Sequence, residues 1–290
     1  RPGCATGVRG RAPATVAAPT TGVLCDRYGR RVRIATWNVN SLKARMERVE
    51  AWLADVAPDV VCLQETKLAD GAFPALAFQG LGYESAHHGE GRWNGVAILS
   101  RVGLSEVTEG FGPGDPDPEA RLLWATCGGV RVASAYVPNG RALDHDHYRY
   151  KLSWLANLRR RLDDAESASE PVVVAGDFNI APTDDDVWDP AQFVDATHTS
   201  PAERRALQDI VDWGLVDAFR QVNPEPGLYS WWDYRAGRFH KHEGMRIDLV
   251  LATAPVAERV TFATIDRNAR KGQQPSDHAP VIVDLADLAD

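Results

Sequence analysis

The chain has 290 residues, of which 44% are hydrophobic and 25% are charged, a composition typical of ordinary soluble globular proteins. It excludes collagen-like, low-complexity and wholly disordered chains. The apolar runs are only a few residues long, far short of the ~20 residues that a membrane-spanning helix needs. The sequence therefore predicts no association with a membrane.

Charge is distributed unevenly along the chain. Residues 1–31 contain six arginines and one acidic residue, a net charge of +5, whereas the remaining 259 residues contain 26 basic and 39 acidic residues, a net charge of −13. This acidic body argues against non-specific coating of nucleic acid, which depends on many lysines and arginines that neutralise phosphates. Any phosphate chemistry would need local basic groups or a metal.

The first 31 residues are rich in Ala, Pro, Gly, Thr and Arg and show neither strand alternation nor a helical face. They are predicted to be a disordered N-terminal extension, followed by one folded domain over residues 32–290. The four cysteines have no C-x-x-C spacing, which disfavours a zinc site or a disulfide framework. Free cysteines fit a reducing compartment such as the cytoplasm.

From residue 32 onward, short apolar strands alternate with amphipathic helices. An apolar face predicts a helix over Leu42–Val56, and a second helix includes Tyr148 to Leu162. A capping box from Ser200 to Glu203, with proline at the first helical position, starts a third helix. Nine segments read as strands: Arg33–Val39, Val60–Gln64, Gly95–Leu99, Arg121–Thr126, Val130–Val137, Val172–Gly176, Ile247–Ala252, Arg259–Ile265 and Pro280–Leu285. Strands that outnumber the intervening helices favour two packed sheets over one doubly wound sheet.

Polar side chains interrupt the apolar pattern where six of the strands begin or end. Any one of them alone is typical of a turn. Strands of packed sheets deliver their ends to one rim, however, so six interruptions together predict a shared pocket. The residues are Asn38, Asn40, Glu65, Tyr136, Asp177, Asn179, Asp248, Asp277 and His278.

Seven segments around these residues resemble, in the same order, the exonuclease III-type abasic-site endonucleases. They are Thr36–Leu42, Leu63–Lys67, Ala135–Gly140, Gly176–Asp184, Ser230–Arg235, Met245–Asp248 and Ser276–Pro280, so the resemblance covers about residues 32–285. The blocks Gln-Glu, Gly-Asp-x-Asn and Ser-Asp-His are shared by the wider endonuclease/exonuclease/phosphatase superfamily. The extensions Gln-Glu-Thr-Lys, Asn-Ile-Ala-Pro-Thr-Asp and Trp-x-Asp-Tyr-Arg favour the DNA-repair branch.

The resemblance implies an α/β fold, specifically a four-layer αββα sandwich of two packed mixed β-sheets flanked by helices. It implies a Mg²⁺-dependent DNA-repair phosphodiesterase that cleaves 5′ to abasic sites and has 3′-phosphodiesterase and 3′ to 5′ exonuclease activity. The expected partner is double-stranded DNA with abasic or blocked 3′ ends, and Mn²⁺ is an alternative cofactor. We expect a monomer in the bacterial cytoplasm that associates with the nucleoid while it acts. No membrane partner is expected.

Residue chemistry supports an oxygen-rich metal site. Mg²⁺ prefers oxygen ligands, keeps several waters, and is commonly held by one or two carboxylates. Glu65 with Asn38 beside it matches that demand, and Asp277 is a further candidate near the metal.

The expected catalytic group consists of Asp177, Asn179, His278, Tyr136 and Asp248. Asp177 would accept the proton of an attacking water, which Asn179 would orient. His278 would donate to a phosphate oxygen, while Asp248 fixes its imidazole and favours its charged form. Tyr136 would offer a hydroxyl to the same phosphate.

A different set of residues is expected to bind the substrate. Trp231, Met245 and Ile247 match positions that in the family form an apolar pocket for a flipped, baseless sugar. Extruding a baseless sugar from the duplex costs less stacking energy than extruding an intact nucleotide. Arg141 would contact the DNA backbone, and Asn40 is a weaker substrate-binding candidate.

Two other functions are compatible with parts of the sequence. A same-fold phosphatase or phosphodiesterase acting on a non-DNA phosphoester, such as a lipid or inositol phosphate, shares the general blocks but lacks the extensions of the repair branch. A catalytically inactive DNA-binding or scaffold protein is disfavoured, because every matched acid, asparagine and histidine is present and because the acidic body would bind DNA poorly.

Overall fold

A computed structural model of the protein describes Gly3 and residues 31–112 and 117–286. The N-terminal extension expected over residues 1–31 therefore lies outside the described residues, apart from Gly3 and Arg31. Within the described ranges, every helix is too short or too polar to cross a lipid bilayer.

The first of two central sheets has six strands in the order β11-β12-β1-β2-β4-β3. Strands β1 and β2 pair in parallel, while the other neighbours pair in an antiparallel manner. The strands are β1 (Val32–Asn38), β2 (Val60–Gln64), β3 (Glu84–His88), β4 (Val96–Ser100), β11 (Val260–Ile265) and β12 (Val281–Leu285).

The second sheet repeats this mixed pattern, with the order β5-β6-β7-β8-β10-β9. Its parallel pair is β7 with β8, and the remaining pairs are antiparallel. The strands are β5 (Ser105–Glu109), β6 (Leu122–Cys127), β7 (Val130–Tyr136), β8 (Val172–Asp177), β9 (Leu215–Asp217) and β10 (Asp248–Thr253).

Helices cover the outer face of each sheet. Helix α1 packs on the first sheet through buried residues such as Trp52 and Leu53, and α3 and α4 pack on the second through residues such as Leu158 and Ile210. A third apolar cluster lies between the sheets. The helices are α1 (Leu42–Val56), α2 (Ala75–Gly80), α3 (Asp146–Ala165), α4 (Pro201–Val211), α5 (Ala218–Val222), α6 (Arg238–Lys241) and α7 (Ala254–Ala257). The predicted αββα sandwich is confirmed.

All nine predicted strands are present, but three further strands were missed. Strands β3, β5 and β9 each lie at the edge of a sheet, and they are largely exposed or only half-buried. A strand with few buried side chains shows no apolar alternation, so its pairing is not readable from the sequence.

The parallel pairs bring polar residues from both sheets to one rim. Strands β1 and β8 end at Asn38 and Asp177, and Tyr136 and Glu65 stand at the ends of β7 and β2. Parallel strands joined by a crossover helix deliver their carboxyl ends to the same side. The two sheets meet there, since Asn38 Nδ2 lies 2.9 Å from Asp177 Oδ2.

Candidate active site

A buried histidine stands between two carboxylates at this rim. Strand β10 begins with Asp248, which is paired opposite Asp177 of β8, and the loop before β12 supplies His278. The imidazole Nδ1 lies 2.9 Å from Asp248 Oδ2, and Nε2 lies 3.7 Å from Asp177 Oδ2. All three side chains are almost fully buried.

The two carboxylates set the charge of the histidine. Burial alone would lower the pKa of His278, but the negative charges of Asp248 and Asp177 outweigh it and raise the pKa to about 10. Burial, reinforced by the charge of Asp248, raises the pKa of Asp177 to about 7. The ring is therefore an imidazolium at neutral pH, and Asp177 is a base whose affinity for a proton suits neutral conditions.

Glu65 lies beside this triad and is connected to it by Asn38. The Asn38 Nδ2 group donates both to Glu65 Oε1 and to Asp177 Oδ2, each over 2.9 Å. The other oxygen of Glu65 pairs with Lys67 Nζ at 2.8 Å. Although burial opposes its ionisation, the Lys67 ammonium lowers the pKa of Glu65, so the carboxylate stays charged.

Two places in this site could attract a metal, namely the triad and the carboxylate of Glu65. Asp177, Asp248 and His278 each offer a ligand atom within 4.8 Å of the others, but the imidazole is charged and its Nδ1 is occupied by Asp248. The Glu65 side chain is 17% exposed, against 2% for Asp177 and 0% for Asp248. Because Mg²⁺ keeps several of its waters, the more open Glu65 fits it better than the buried triad.

Asn40 and Asp277 extend the polar network away from Glu65. Lys67 Nζ donates to Asn40 Oδ1 over 2.6 Å, and Asn40 Nδ2 donates to Asp277 Oδ1 over 3.0 Å. Burial opposes the charge of Asp277, but His278 and the hydrogen bonds from Asn40 and Trp231 lower its pKa. The carboxylate is thus charged and already accepts two hydrogen bonds.

The three residues expected to form an apolar pocket lie together. Met245 and Ile247 are buried with Ala181 and Val187, and the half-buried Trp231 packs against them. Ser230 Oγ accepts the backbone N–H groups of Ile247 and Asp248, which ties this cluster to the start of β10.

Tyr136 contributes a hydroxyl group from the end of β7. Burial and the nearby charge of Glu65 raise the pKa of Tyr136 well above its usual value, so the hydroxyl remains a donor. The Arg121 guanidinium lies 4.6 Å from the centre of its ring. Tyr136 therefore belongs to the same site as Glu65.

Asn179 and Arg141 are linked through Asn139, whose role sequence reasoning missed. Asn179 N donates to Asp177 Oδ1 over 2.9 Å, and Asn139 Nδ2 donates to Asn179 Oδ1 over 3.1 Å. Asn139 Oδ1 accepts the N–H of Arg141, whose side chain is exposed. Arg141 is therefore at the periphery, while the other expected site residues are buried or half-buried. The Pro-Asn-Gly segment was a turn signal that could have identified Asn139.

The chain is similar to known proteins in both sequence and structure. A model described as the endonuclease/exonuclease/phosphatase family matches residues 35–278. The exodeoxyribonuclease III of Haemophilus influenzae is 34% identical over 86% of this chain and 98% of its own length. An AP endonuclease from Archaeoglobus fulgidus superposes with a TM-score of 0.84 at 36% identity, covering 87% of this chain and 98% of its own. A 3′ phosphatase from Neisseria, solved with a product DNA hairpin, gives a TM-score of 0.84 at 40% identity, covering 88% and 99%.

Proposed function

This chain belongs to the endonuclease/exonuclease/phosphatase family and is a hydrolytic nuclease, and we propose that it works in DNA repair by cleaving the backbone 5′ to abasic sites. The same centre would remove 3′-blocking groups and 3′-terminal nucleotides from duplex DNA. The observation that carries the proposal is the buried Asp177–His278–Asp248 triad beside the more open carboxylate of Glu65.

The triad would supply a positive charge, on His278, and a base, the carboxylate of Asp177, for phosphodiester hydrolysis. His278, held cationic by Asp248, donates to a phosphate oxygen on which negative charge develops in the transition state. Asp177, with its pKa near 7, accepts the proton of the attacking water. Asn179 and Tyr136 orient the water and the phosphate.

Glu65 is the proposed principal metal ligand, with Asp277 near the metal or its waters. The Nδ2 group of Asn38 bridges Glu65 and Asp177. The side-chain oxygen of Asn38 is a further predicted metal ligand. The oxygen donors fit Mg²⁺, with Mn²⁺ as an alternative. When bound, the metal supplies positive charge that stabilises phosphate oxygens.

The proposed substrate is double-stranded DNA with an abasic site or a blocked 3′ end. The Trp231, Met245 and Ile247 cluster would receive the extruded sugar, Arg141 would contact the backbone, and Asn40 would lie beside the bound phosphate. A monomer suffices, because the site is built from one chain. We further propose that the protein acts on the nucleoid in the bacterial cytoplasm.

A duplex that contains one tetrahydrofuran abasic analogue tests this function. The 5′-labelled strand is incubated with the protein with and without Mg²⁺, and Asp177→Asn serves as the control for contaminating nucleases. We expect incision immediately 5′ to the analogue that needs Mg²⁺ and Asp177. Intact DNA together with hydrolysis of inositol or lipid phosphates would instead establish the same-fold phosphoesterase.

A further inference from the structure

Lys151, in the second turn of α3, has a fully buried side chain. We propose that Lys151, held by Glu203, is a positioning residue for the reaction: its ammonium group fixes the two loops that carry Asn179 and Arg141. This inference rests on the proposed function of the site for its activity assay, but its structural part does not.

The ammonium group reaches both loops at once. Lys151 Nζ donates to the backbone oxygen of Asn179 over 2.7 Å and lies 3.3 Å from the backbone oxygen of Asn139. Its third contact is Glu203 Oε1, at 2.5 Å. A lysine has three N–H donors, so the group is fully used. The ammonium group of Lys151 therefore contacts both the loop after β7 and the loop after β8.

Each loop contains a residue whose backbone lies in the left-handed region. Asn179 has a φ of 52° and Arg141 a φ of 62°, and this conformation costs more at arginine than at asparagine, which adopts it more often than other residues with a Cβ. Gly140 separates Asn139 from Arg141, and a Cβ there would lie 3.3 Å from Lys151 Cδ and 2.7 Å from Thr197 Oγ1. The turn at Gly140 therefore packs directly against the methylene groups of Lys151.

Hydrogen bonds of the Asn139 and Asn179 side chains connect these two loops to the active site. Asn139 Nδ2 donates to Asn179 Oδ1, and Asn179 Nδ2 donates to the backbone oxygen of Val137. Asn179 is thus oriented by its own backbone and by Asn139, and Lys151 holds the main chain of both. A shift of either loop would misalign the amide that is proposed to orient the water.

Glu203 holds the ammonium in place from α4. Its Oε2 accepts from Ser200 and closes the capping box of that helix. Its Oε1 accepts from Lys151, from Thr197 Oγ1 and from the backbone N–H of His198. The carboxylate is fully buried, and these partners keep it charged and immobile.

A purely stabilising role is a poor explanation for this pair. Buried ion pairs cost so much desolvation that apolar or neutral replacements of similar volume are often as stable. Losing one partner is different, because it leaves an unpaired buried charge. A test of positioning must therefore remove both charges together and keep the volume.

The experiment is the double variant Lys151→Met/Glu203→Gln, compared with Arg161→Met/Glu166→Gln. The control pair is also anchored on α3 and nearly buried, with a contact of 2.9 Å. Glu166 also pairs with Arg131 of β7 at 3.5 Å, and among the described residues the control pair has no hydrogen bond or ion pair to either loop. We expect the test variant to have a lower Tm, because buried carbonyl and N–H groups lose partners, and at a temperature where it is folded we expect kcat on the abasic duplex to fall about 10- to 100-fold, the cost of a misplaced catalytic group. The control should keep its kcat.

Amide hydrogen exchange of the metal-free protein gives a readout independent of catalysis. We expect faster exchange in residues 139–142 and 178–181 of the test variant, with β7 and β8 unchanged. If the wild type leaves abasic DNA intact, the proposed function fails, yet exchange still decides the role of Lys151. The inference would be overturned if the double variant had the same exchange rates and the same kcat as the wild type. It would also be overturned if the double variant had a lower Tm but an unchanged kcat at a temperature where it is folded.

A second variant covers the case in which the double variant does not fold, and it keeps the charge of Glu203 paired. Lys151→Ala is purified in propylammonium, which fills the space of the missing side chain and supplies the buried cation with its N–H donors. We expect propylammonium to restore kcat in Lys151→Ala without affecting the wild type. Restored Tm without restored kcat would contradict positioning.

Discussion

The indole Nε1 of Trp231 donates a hydrogen bond to Asp277 Oδ2 over 3.1 Å. The wall of the proposed sugar pocket is therefore tied to the polar network that runs through Asn40 and Lys67 to Glu65. From the sequence alone, the pocket and the metal site are predicted as separate sets of residues. In the structure, a change in one is expected to affect the other.

Replacing Trp231 by alanine or by phenylalanine separates the two roles of this residue. Trp231→Ala removes the apolar contact with the extruded sugar and should reduce abasic-site cleavage by about 1.5–3 kcal/mol, the range for burying a large apolar side chain. Trp231→Phe keeps a ring but loses the N–H, so it should keep most of the selectivity and raise the Mg²⁺ concentration needed for half-maximal rate. The measurement is the ratio of cleavage at an abasic site to removal of an undamaged 3′ nucleotide. Equal loss of both activities in Trp231→Ala would refute the pocket assignment.

Glu65→Gln keeps the shape of the side chain and removes the charge that is proposed to hold the metal. We expect a large fall in rate that is partly recovered at high Mg²⁺, because the oxygen ligand remains while its charge is lost. Binding of abasic duplex without metal should change little. An unchanged Mg²⁺ dependence would show that the metal binds elsewhere, for example at the triad.

Asp177→Asn and His278→Ala should each lower turnover far more than they weaken DNA binding, because both side chains act where charge develops in the transition state. Since they act on one step, the double variant should lose much less than the product of the single effects. Single-turnover rates and binding constants measure this. Strictly multiplicative losses would indicate two separate steps.

The pH dependence of the chemical step follows from the triad. Rate should rise as Asp177 loses its proton near pH 7 and fall as His278 loses its proton near pH 10. The charge of Asp248 raises both pKa values, so Asp248→Asn should move both limbs of the profile to lower pH. Single-turnover rates across the pH range test this, and limbs that stay in place would rule out Asp248 as the group that sets these pKa values.

Much of the fold was predictable because its buried elements carry strong signals. Helix α1 has the predicted bounds, and α4 begins with the predicted capping box. The edge strands β3, β5 and β9 were not predictable, because β3 and β5 are mostly polar and β9 has only three residues, whereas the edge strand β11 has apolar residues that made it predictable.

The candidate site was predictable as a set of residues but not as a network. Short motifs name Glu65, Asp177 and His278, yet nothing local indicates that Lys67 pairs with Glu65 or that Asn38 bridges two sheets. Lys151 gave no signal, because a single lysine on a helix usually lies in solvent. Its burial results from the packing of α3 against α4, which no local pattern specifies.

The charge of His278 is the most direct test of the account, because the proposed chemistry depends on an imidazolium held between Asp177 and Asp248. NMR of ¹⁵N-histidine-labelled protein, with the signal assigned from a His278→Gln variant, reports the protonation of both ring nitrogens. We predict a doubly protonated ring at pH 8 that titrates near pH 10. A neutral ring at pH 8 would contradict the account.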